Sequence, residues 1–191
     1  MDGWSRQMYH DEAAAPWVMP SPNMPTLDTA VVYPGTVLFE GTNVSEGRGT
    51  TRPFELVGAP WVPDERFADR LNARGLPGVH FRPVVFEPTF HKHAKATCGG
   101  VQIHVTDRQA FRPVLSGVLL TEAFRDAGGG EFAWRQPPYE YEFEKLPFDI
   151  LAGTSRTREQ IEAGVKAEEI AASWEPAVRP FLQLRERFLL Y

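Results

Sequence analysis

Proline is the residue that most limits how this chain can fold. The 191-residue sequence contains 17 prolines, and each one fixes a backbone angle and removes a hydrogen-bond donor. Four of them, Pro16, Pro20, Pro22 and Pro25, lie near the N-terminus, so we expect residues 1–25 to be irregular. The prolines as a whole predict a fold of short elements joined by many loops.

The stretches between the prolines carry short helix and strand patterns. Thr26 is a suitable N-cap for a helix through residue 32, Asp64 caps another through about residue 73, and Thr157 with Gln160 opens a third. Further helices are expected at 112–126 and 174–187, and one helical turn at 53–57. Strands are expected at 37–39, 79–86, 101–106 and 139–145. Together they predict an α+β fold, with a small mixed sheet and flanking helices.

Charge and composition exclude several classes of protein. The net charge is −5 and the basic residues are scattered, which argues against a nucleic-acid partner. We expect no membrane span, because no run of 18 apolar residues occurs. Cys98 is the single cysteine, which excludes an internal disulfide. The sequence has no GxxxxGK phosphate loop and no GxSxG nucleophile turn, so it predicts no cofactor.

The run EGTNVSEGRGTTRPFELVGAPW at 40–61 is the candidate functional segment. It combines acids, bases, an amide and hydroxyls with glycines, namely Glu40, Glu46, Arg48, Arg52, Asn43, Thr42, Ser45, Thr50 and Thr51. Such side chains are costly to bury unpaired. They are also more numerous than an ordinary surface loop needs. A polar loop with glycine hinges is typical of a binding or catalytic site.

Glu40 and Glu46 allow two interpretations. Glycoside hydrolysis commonly uses two carboxylates, one protonated and one ionised, and two glutamates on one loop could reach the same pocket. Alternatively, Glu46 pairs with Arg48 or Arg52 and Glu40 accepts backbone N–H groups, so that both only fix the loop. The residues alone leave both interpretations open.

Three histidines and the cysteine are candidate metal ligands. The spacings His91-x-His93 and Cys98-x5-His104 match no structural zinc pattern well. We therefore expect a buried thiol and solvated histidines, and no metal.

Four motifs together resemble the peptidoglycan exo-β-N-acetylmuramidase family, formerly a domain of unknown function. They are SPNMPT at 21–26, YPG at 33–35, the run at 40–61 and CGGVQIHVTDR at 98–108. The resemblance extends to ERFLLY at 186–191, but it covers only the second half of members that are about twice this length. It implies a periplasmic or secreted glycoside hydrolase that removes terminal N-acetylmuramic acid from peptidoglycan fragments.

The resemblance also implies a division of the chain. Residues 1–60 would be the tail of an N-terminal Rossmann-like α/β catalytic domain, carrying the loop at 40–52, and residues 61–191 a supporting α+β domain. The partners would be a peptidoglycan-derived sugar and the missing Rossmann-like half, or a separate chain that replaces it. Trp4 and Trp17 would be covered by that half, so we expect the isolated chain to be inactive and poorly covered at residues 1–60.

In this family the catalytic glutamates are placed in the absent half, which makes Glu40 and Glu46 residues that contact or support the substrate. Asn43 could bind a sugar hydroxyl or N-acetyl group. Arg48 or Arg52 could bind the lactyl carboxylate of muramic acid, or could form a structural ion pair. The further candidates for substrate binding are Thr42, Ser45 and Asn23, the last in a turn beside Ser21 and Thr26.

The alternative function is a non-catalytic module that binds cell-wall sugars or docks on a partner chain.

Overall fold

The computed structural model describes residues 3–13, 15–62 and 66–190. Its helices are α1 (Leu27–Thr36), α2 (Arg66–Asn72), α3 (Pro113–Gly128), α4 (Pro147–Ala152), α5 (Arg156–Glu162), α6 (Ala167–Ala172) and α7 (Glu175–Arg185). Its strands are β1 (Leu56–Ala59), β2 (Val79–Phe86) and β3 (Cys98–Val105). Short 3-10 helices cover His10–Glu12, Val37–Gly41 and Gly129–Glu131. In the described ranges no helix is both long and apolar enough to span a membrane.

The three strands form one sheet in the order β1-β3-β2. Both pairs are antiparallel, with Val57 opposite Val101 and Phe81 opposite Ile103. The α+β prediction is confirmed, but the sheet is antiparallel throughout and not mixed. The reason is the chain path: β1 and β2 are joined through α2 and run parallel to each other, but β3 lies between them and is antiparallel to both.

The core is one apolar cluster that joins residues of the strands to α3, which is buried along most of its length. Val118, Leu119, Leu120 and Phe124 of α3 have no exposed surface. α1 crosses α3 closely at Gly35 and Gly117. This crossing places the end of α1, and so the start of the polar run, directly against the central helix.

Gly35→Ala is expected to destabilise the fold by about 1–3 kcal/mol, because a methyl group has no space at this crossing. A Cβ atom at Gly35 would lie 1.9 Å from the carbonyl oxygen of Pro113, which is backbone and cannot rotate away. Urea unfolding measures the loss. Gly130→Ala is the matched control, since nothing lies within 4 Å of its Cβ position. Equal stability of both variants would contradict close packing of α1 on α3.

Local sequence signals predicted some elements correctly. The Thr26 hydroxyl accepts a hydrogen bond from the backbone N–H of Thr29, so Thr26 is the N-cap of α1. β2 and α3 lie where they were expected. The helix predicted to begin at Asp64 is present as α2 from Arg66, but Asp64 itself lies outside the described residues. α7 continues through Pro180 without a break.

Other local predictions were wrong. Residues 37–39 form a 3-10 helix instead of a strand. The helical turn expected at 53–57 is not a helix, because β1 already begins at Leu56. Residues 139–145 form no strand; they make a tight turn with a single bridge between Tyr139 and Glu142. Thr157 is buried inside α5, whose N-cap position is Ser155.

Residues on both sides of the predicted boundary at 60 share one core. β1 precedes it and pairs with β3, and the apolar cluster includes Phe39, Val44 and Phe54, all buried. The expectation of poor cover is therefore wrong for residues 29–59. Trp4 and Trp17 are half-buried, and Trp17 packs edge-on against His10 at 5.3 Å. The division into 1–60 and 61–191 stays a prediction.

Candidate functional site

Glu46 is the centre of a buried ionic cluster. Its side chain has no exposed surface, and its carboxylate accepts hydrogen bonds from Arg48 Nε at 3.0 Å and Lys92 Nζ at 2.8 Å. The ring of His91 lies beside it, with Nδ1 3.3 Å from the carboxylate. Burial is the largest single cause and would raise the pKa of Glu46, but Lys92, a backbone hydrogen bond and His91 together outweigh it, and the net shift is downward. Glu46 is therefore an ionised carboxylate at neutral pH.

Lys92 holds this cluster to the start of the polar run. Its ammonium donates to Glu46 and also to the backbone carbonyls of Phe39 at 2.7 Å and Val44 at 3.1 Å. An ammonium group has three donors, and all three are used. Burial lowers the pKa of Lys92, and the Glu46 carboxylate opposes that effect.

Arg48 links Glu46 to the second candidate carboxylate. Its Nη2 donates to Glu40 at 2.7 Å, and its guanidinium lies over the ring of Phe54 at 5.0 Å. The other oxygen of Glu40 accepts the hydroxyl of Tyr139 at 2.8 Å. Burial and the Glu40 carboxylate raise the pKa of that phenol well above its usual range. The structure therefore brings Glu40, Glu46 and Arg48 into one network.

Arg52 belongs to a separate pair. Its Nη1 lies 3.3 Å from Glu55, whose carboxylate also accepts the hydroxyls of Thr29 at 2.7 Å and Thr26 at 3.3 Å. This arrangement fixes the loop to the N-terminus of α1. Asn23 is engaged only through its backbone N–H, which donates to Ser21 Oγ at 3.3 Å, within the described part of the chain.

The remaining candidates on the loop bond to backbone. The Asn43 side chain donates to the carbonyl of Glu131 at 2.8 Å and accepts from the N–H of Ala133 at 2.9 Å. Thr42 donates to the carbonyl of Phe39 and accepts from a backbone N–H, and the Ser45 hydroxyl accepts from the N–H of Gly47. These contacts hold the loop shape. They leave the predicted sugar-binding roles of Asn43, Thr42 and Ser45 untested.

Gly49 fastens this loop to the one that carries His91 and Lys92. Its φ is +84°, and a Cβ atom there would lie 2.7 Å from the backbone of Phe90. The N–H of Thr89 donates to its carbonyl at 2.9 Å. Only glycine tolerates both the positive φ and the close approach of the Phe90 backbone. Gly49 therefore allows the loop that carries His91 and Lys92 to reach the polar run.

A pocket of ≈ 400 Å³ opens beside the cluster. Its lining residues are Thr42, Asn43, His91, Lys92 and Arg135. This volume is within the range of small-ligand sites. Sequence reasoning missed Lys92 and Arg135, and it placed Tyr139 on the apolar face of a strand instead of in this network. The sequence did contain one signal for a cation such as Lys92. The run at 40–61 has three acids, Glu40, Glu46 and Glu55, but only two arginines, so burial of all three acids requires a cation from elsewhere in the chain.

The histidines expected to be solvated have partners in two cases. His91 lies against Glu46, and His93 donates from Nε2 to the carbonyl of Asn43 at 2.7 Å while its ring packs edge-on against Trp61. Cys98 is buried in β3, and burial raises the pKa of its thiol to about 11. Across the residues that the structure covers, no three His, Cys, Asp or Glu side chains are placed to hold a metal ion.

A family model described as the C-terminal part of the exo-beta-N-acetylmuramidase NamZ matches residues 31–191. The chain belongs to this family. It is also 43% identical, over 194 residues, to the peptidoglycan beta-N-acetylmuramidase NamZ of Bacillus subtilis strain 168. That alignment covers 100% of this chain and 44% of the relative, so the chain spans less than half of the relative's length.

Two solved structures share the fold. Both are DUF1343 family proteins from Bacteroides fragilis NCTC 9343. One is 27% identical with a TM-score of 0.85, covering 99% of this chain and 49% of its own. The other is 29% identical with a TM-score of 0.65, covering 91% and 43%. The resemblance inferred from the four sequence motifs is thereby confirmed.

Proposed function

We propose that this chain is part of a glycoside hydrolase that removes terminal N-acetylmuramic acid from peptidoglycan fragments. The chain would form one wall of the sugar cleft. The observation that carries this proposal is the pocket bounded by the Glu46 cluster, together with the 43% identity to a relative named as a peptidoglycan beta-N-acetylmuramidase. An open pocket lined by hydroxyl, amide and basic side chains is what one wall of a sugar cleft requires.

The cluster is better suited to positioning than to proton transfer. A general acid must be protonated at working pH, whereas Glu46 is buried, ionised and bound by Arg48 and Lys92. Glu40 is bound by Arg48 and Tyr139. In this proposal both glutamates shape the cleft wall. The groups that cleave the glycosidic bond would lie in the part of the enzyme that the relative's additional length represents.

A chimera tests this function. The 194-residue segment of the Bacillus subtilis relative that aligns with this chain is exchanged for residues 1–191. We expect the chimera to hydrolyse a chromogenic N-acetylmuramide, and this chain alone to give no turnover. Two variants of the chimera test whether turnover depends on the folding of this segment. Gly35→Ala, which should destabilise the fold, is expected to lower turnover, and the exposed Gly130→Ala is its matched control.

Two results would oppose the proposal. A chimera with a native circular dichroism spectrum but no hydrolysis would favour the alternative, a module that binds cell-wall sugars without catalysis. Turnover by this chain alone would place the catalytic groups inside it, which contradicts the cleft-wall role.

A further inference from the structure

Arg135 is the cation in the pocket whose charge is not already paired. Lys92 spends its three donors on Glu46 and two carbonyls. His91 lies against the same carboxylate. Arg135 is exposed and forms no ion pair with any carboxylate in residues 3–13, 15–62 and 66–190. The lining residues include no acid, so the pocket presents net positive charge.

The charge of Arg135 acts on the other two basic groups of the pocket. Burial is the main cause that lowers the pKa of His91 and of Lys92, and the Glu46 carboxylate opposes it in both. The charge of Arg135 is a smaller cause that adds to the lowering in both groups. A ligand that brings a negative charge into this pocket would relieve that repulsion. An uncharged ligand would not.

The backbone of Arg135 is held firmly. Its N–H donates to the carbonyl of Gly41 at 2.9 Å, and the preceding Trp134 bridges to Thr42. The Trp134 ring packs against Phe148 at 4.7 Å between centroids. The position of Arg135 is therefore fixed by the same segment that carries the polar run.

The side chain of Arg135 is also oriented before any ligand arrives. Its guanidinium lies 5.5 Å from the centroid of the Tyr139 ring, and the hydroxyl of Tyr139 is anchored to Glu40 at 2.8 Å. Stacking on an aromatic face holds the guanidinium plane and leaves its edge donors free. Such preorganisation lowers the entropy cost of binding.

The two arginines of the polar run are less available. Arg48 donates to Glu40 and Glu46, and Arg52 pairs with Glu55. Neither lines the pocket. An anion that enters the pocket would meet Arg135 first, whereas binding to Arg48 would require an existing ion pair to break.

We propose that Arg135 binds the carboxylate of a sugar acid in this pocket, and so selects the lactyl-bearing N-acetylmuramic acid over N-acetylglucosamine. This inference rests on the proposed function for the identity of the sugar. The chemistry comes from the pocket: a planar guanidinium matches a carboxylate with two parallel N–H bonds. N-acetylglucosamine lacks that carboxylate, so Arg135 would act as a specificity-determining residue.

NMR titration of the 191-residue chain tests the inference. With N-acetylmuramic acid we expect amide shifts centred on the pocket residues, and affinity about tenfold above that for N-acetylglucosamine, as for one charge-assisted contact. Arg135→Gln should abolish the preference by weakening muramic acid binding to the level of the other sugar. Arg112→Gln is the matched control: Arg112 is also exposed and lies outside the pocket lining, so the preference should persist.

The inference is overturned if Arg135→Gln retains the preference, or if the unaltered chain binds both sugars equally. It is also overturned if Arg48→Lys removes the preference in a folded chain while Arg135→Gln does not. These binding results would not contradict the proposed hydrolytic function. That function is tested separately by the chimera assay, which measures turnover and not the sugar preference of this chain. Failure of the chimera alone, with the preference intact, would instead count against the proposed hydrolase.

Discussion

Phe148→Ala is expected to lower the free energy of unfolding by about 3–5 kcal/mol, because it empties a fully buried aromatic site. Phe148 lies in α4 with no exposed surface. Its ring supports Trp134, which precedes Arg135, and α4 packs on the 3-10 helix Val37–Gly41. The cavity would therefore lie beside Trp134 and Gly41, the chain neighbours of the pocket residues Arg135 and Thr42. Urea unfolding followed by tryptophan fluorescence measures the change.

Phe143→Ala is the matched control for that prediction. It deletes the same ring from a position that is 73% exposed, so stability should stay nearly unchanged. Hydrogen exchange should also accelerate at the N–H groups of Asn43 and Arg135, which donate to the carbonyls of Ala133 and Gly41, in Phe148→Ala and not in the control. A loss below about 1 kcal/mol in Phe148→Ala would contradict the view that Phe148 supports the segment that carries Arg135.

Glu46→Gln is expected to cost about 3 kcal/mol, as for removal of one member of a buried ion pair. The substitution keeps the shape of the side chain but leaves the Lys92 ammonium without its anion. Thermal and urea unfolding measure the loss. Glu169→Gln, on the exposed side of α6, removes the same charge from a position without a described ion pair and should have little effect.

The same residue gives stability a defined pH dependence. The pKa of Glu46 is lowered in the folded chain because Lys92, a backbone hydrogen bond and His91 together outweigh burial, so the unfolded chain binds its proton at higher pH. The stabilisation is therefore complete above the ordinary glutamate pKa and is lost as the pH falls through the lowered value. We expect Glu46→Gln to show a shallower loss of stability in acid than the unaltered chain. Parallel pH profiles would contradict an ionised, buried Glu46.

The predictions that held were those with a local physical cause. Thr26 caps α1 through its own side chain, and the β-branched residues of β2 favour an extended backbone wherever a partner exists. The strand predicted at 37–39 was wrong because a short apolar run is compatible with either a strand or a helical turn. The strand predicted at 139–145 was wrong because a strand needs a neighbour, and none of the described strands pairs with this segment.

The sequence by itself determined the family and the α+β class, and it singled out the segment that carries the buried ionic cluster. It could do so because charged and polar residues cannot be buried at such density without partners, and the run at 40–61 displays that density openly. Only the tertiary structure decided which groups are partners. Lys92 and Arg135 lie far from Glu46 in sequence and reach the loop through backbone contacts of the Gly49 and Gly41 segments. Pairing of charges depends on distances in space, and those distances are fixed by long-range packing that no local pattern encodes.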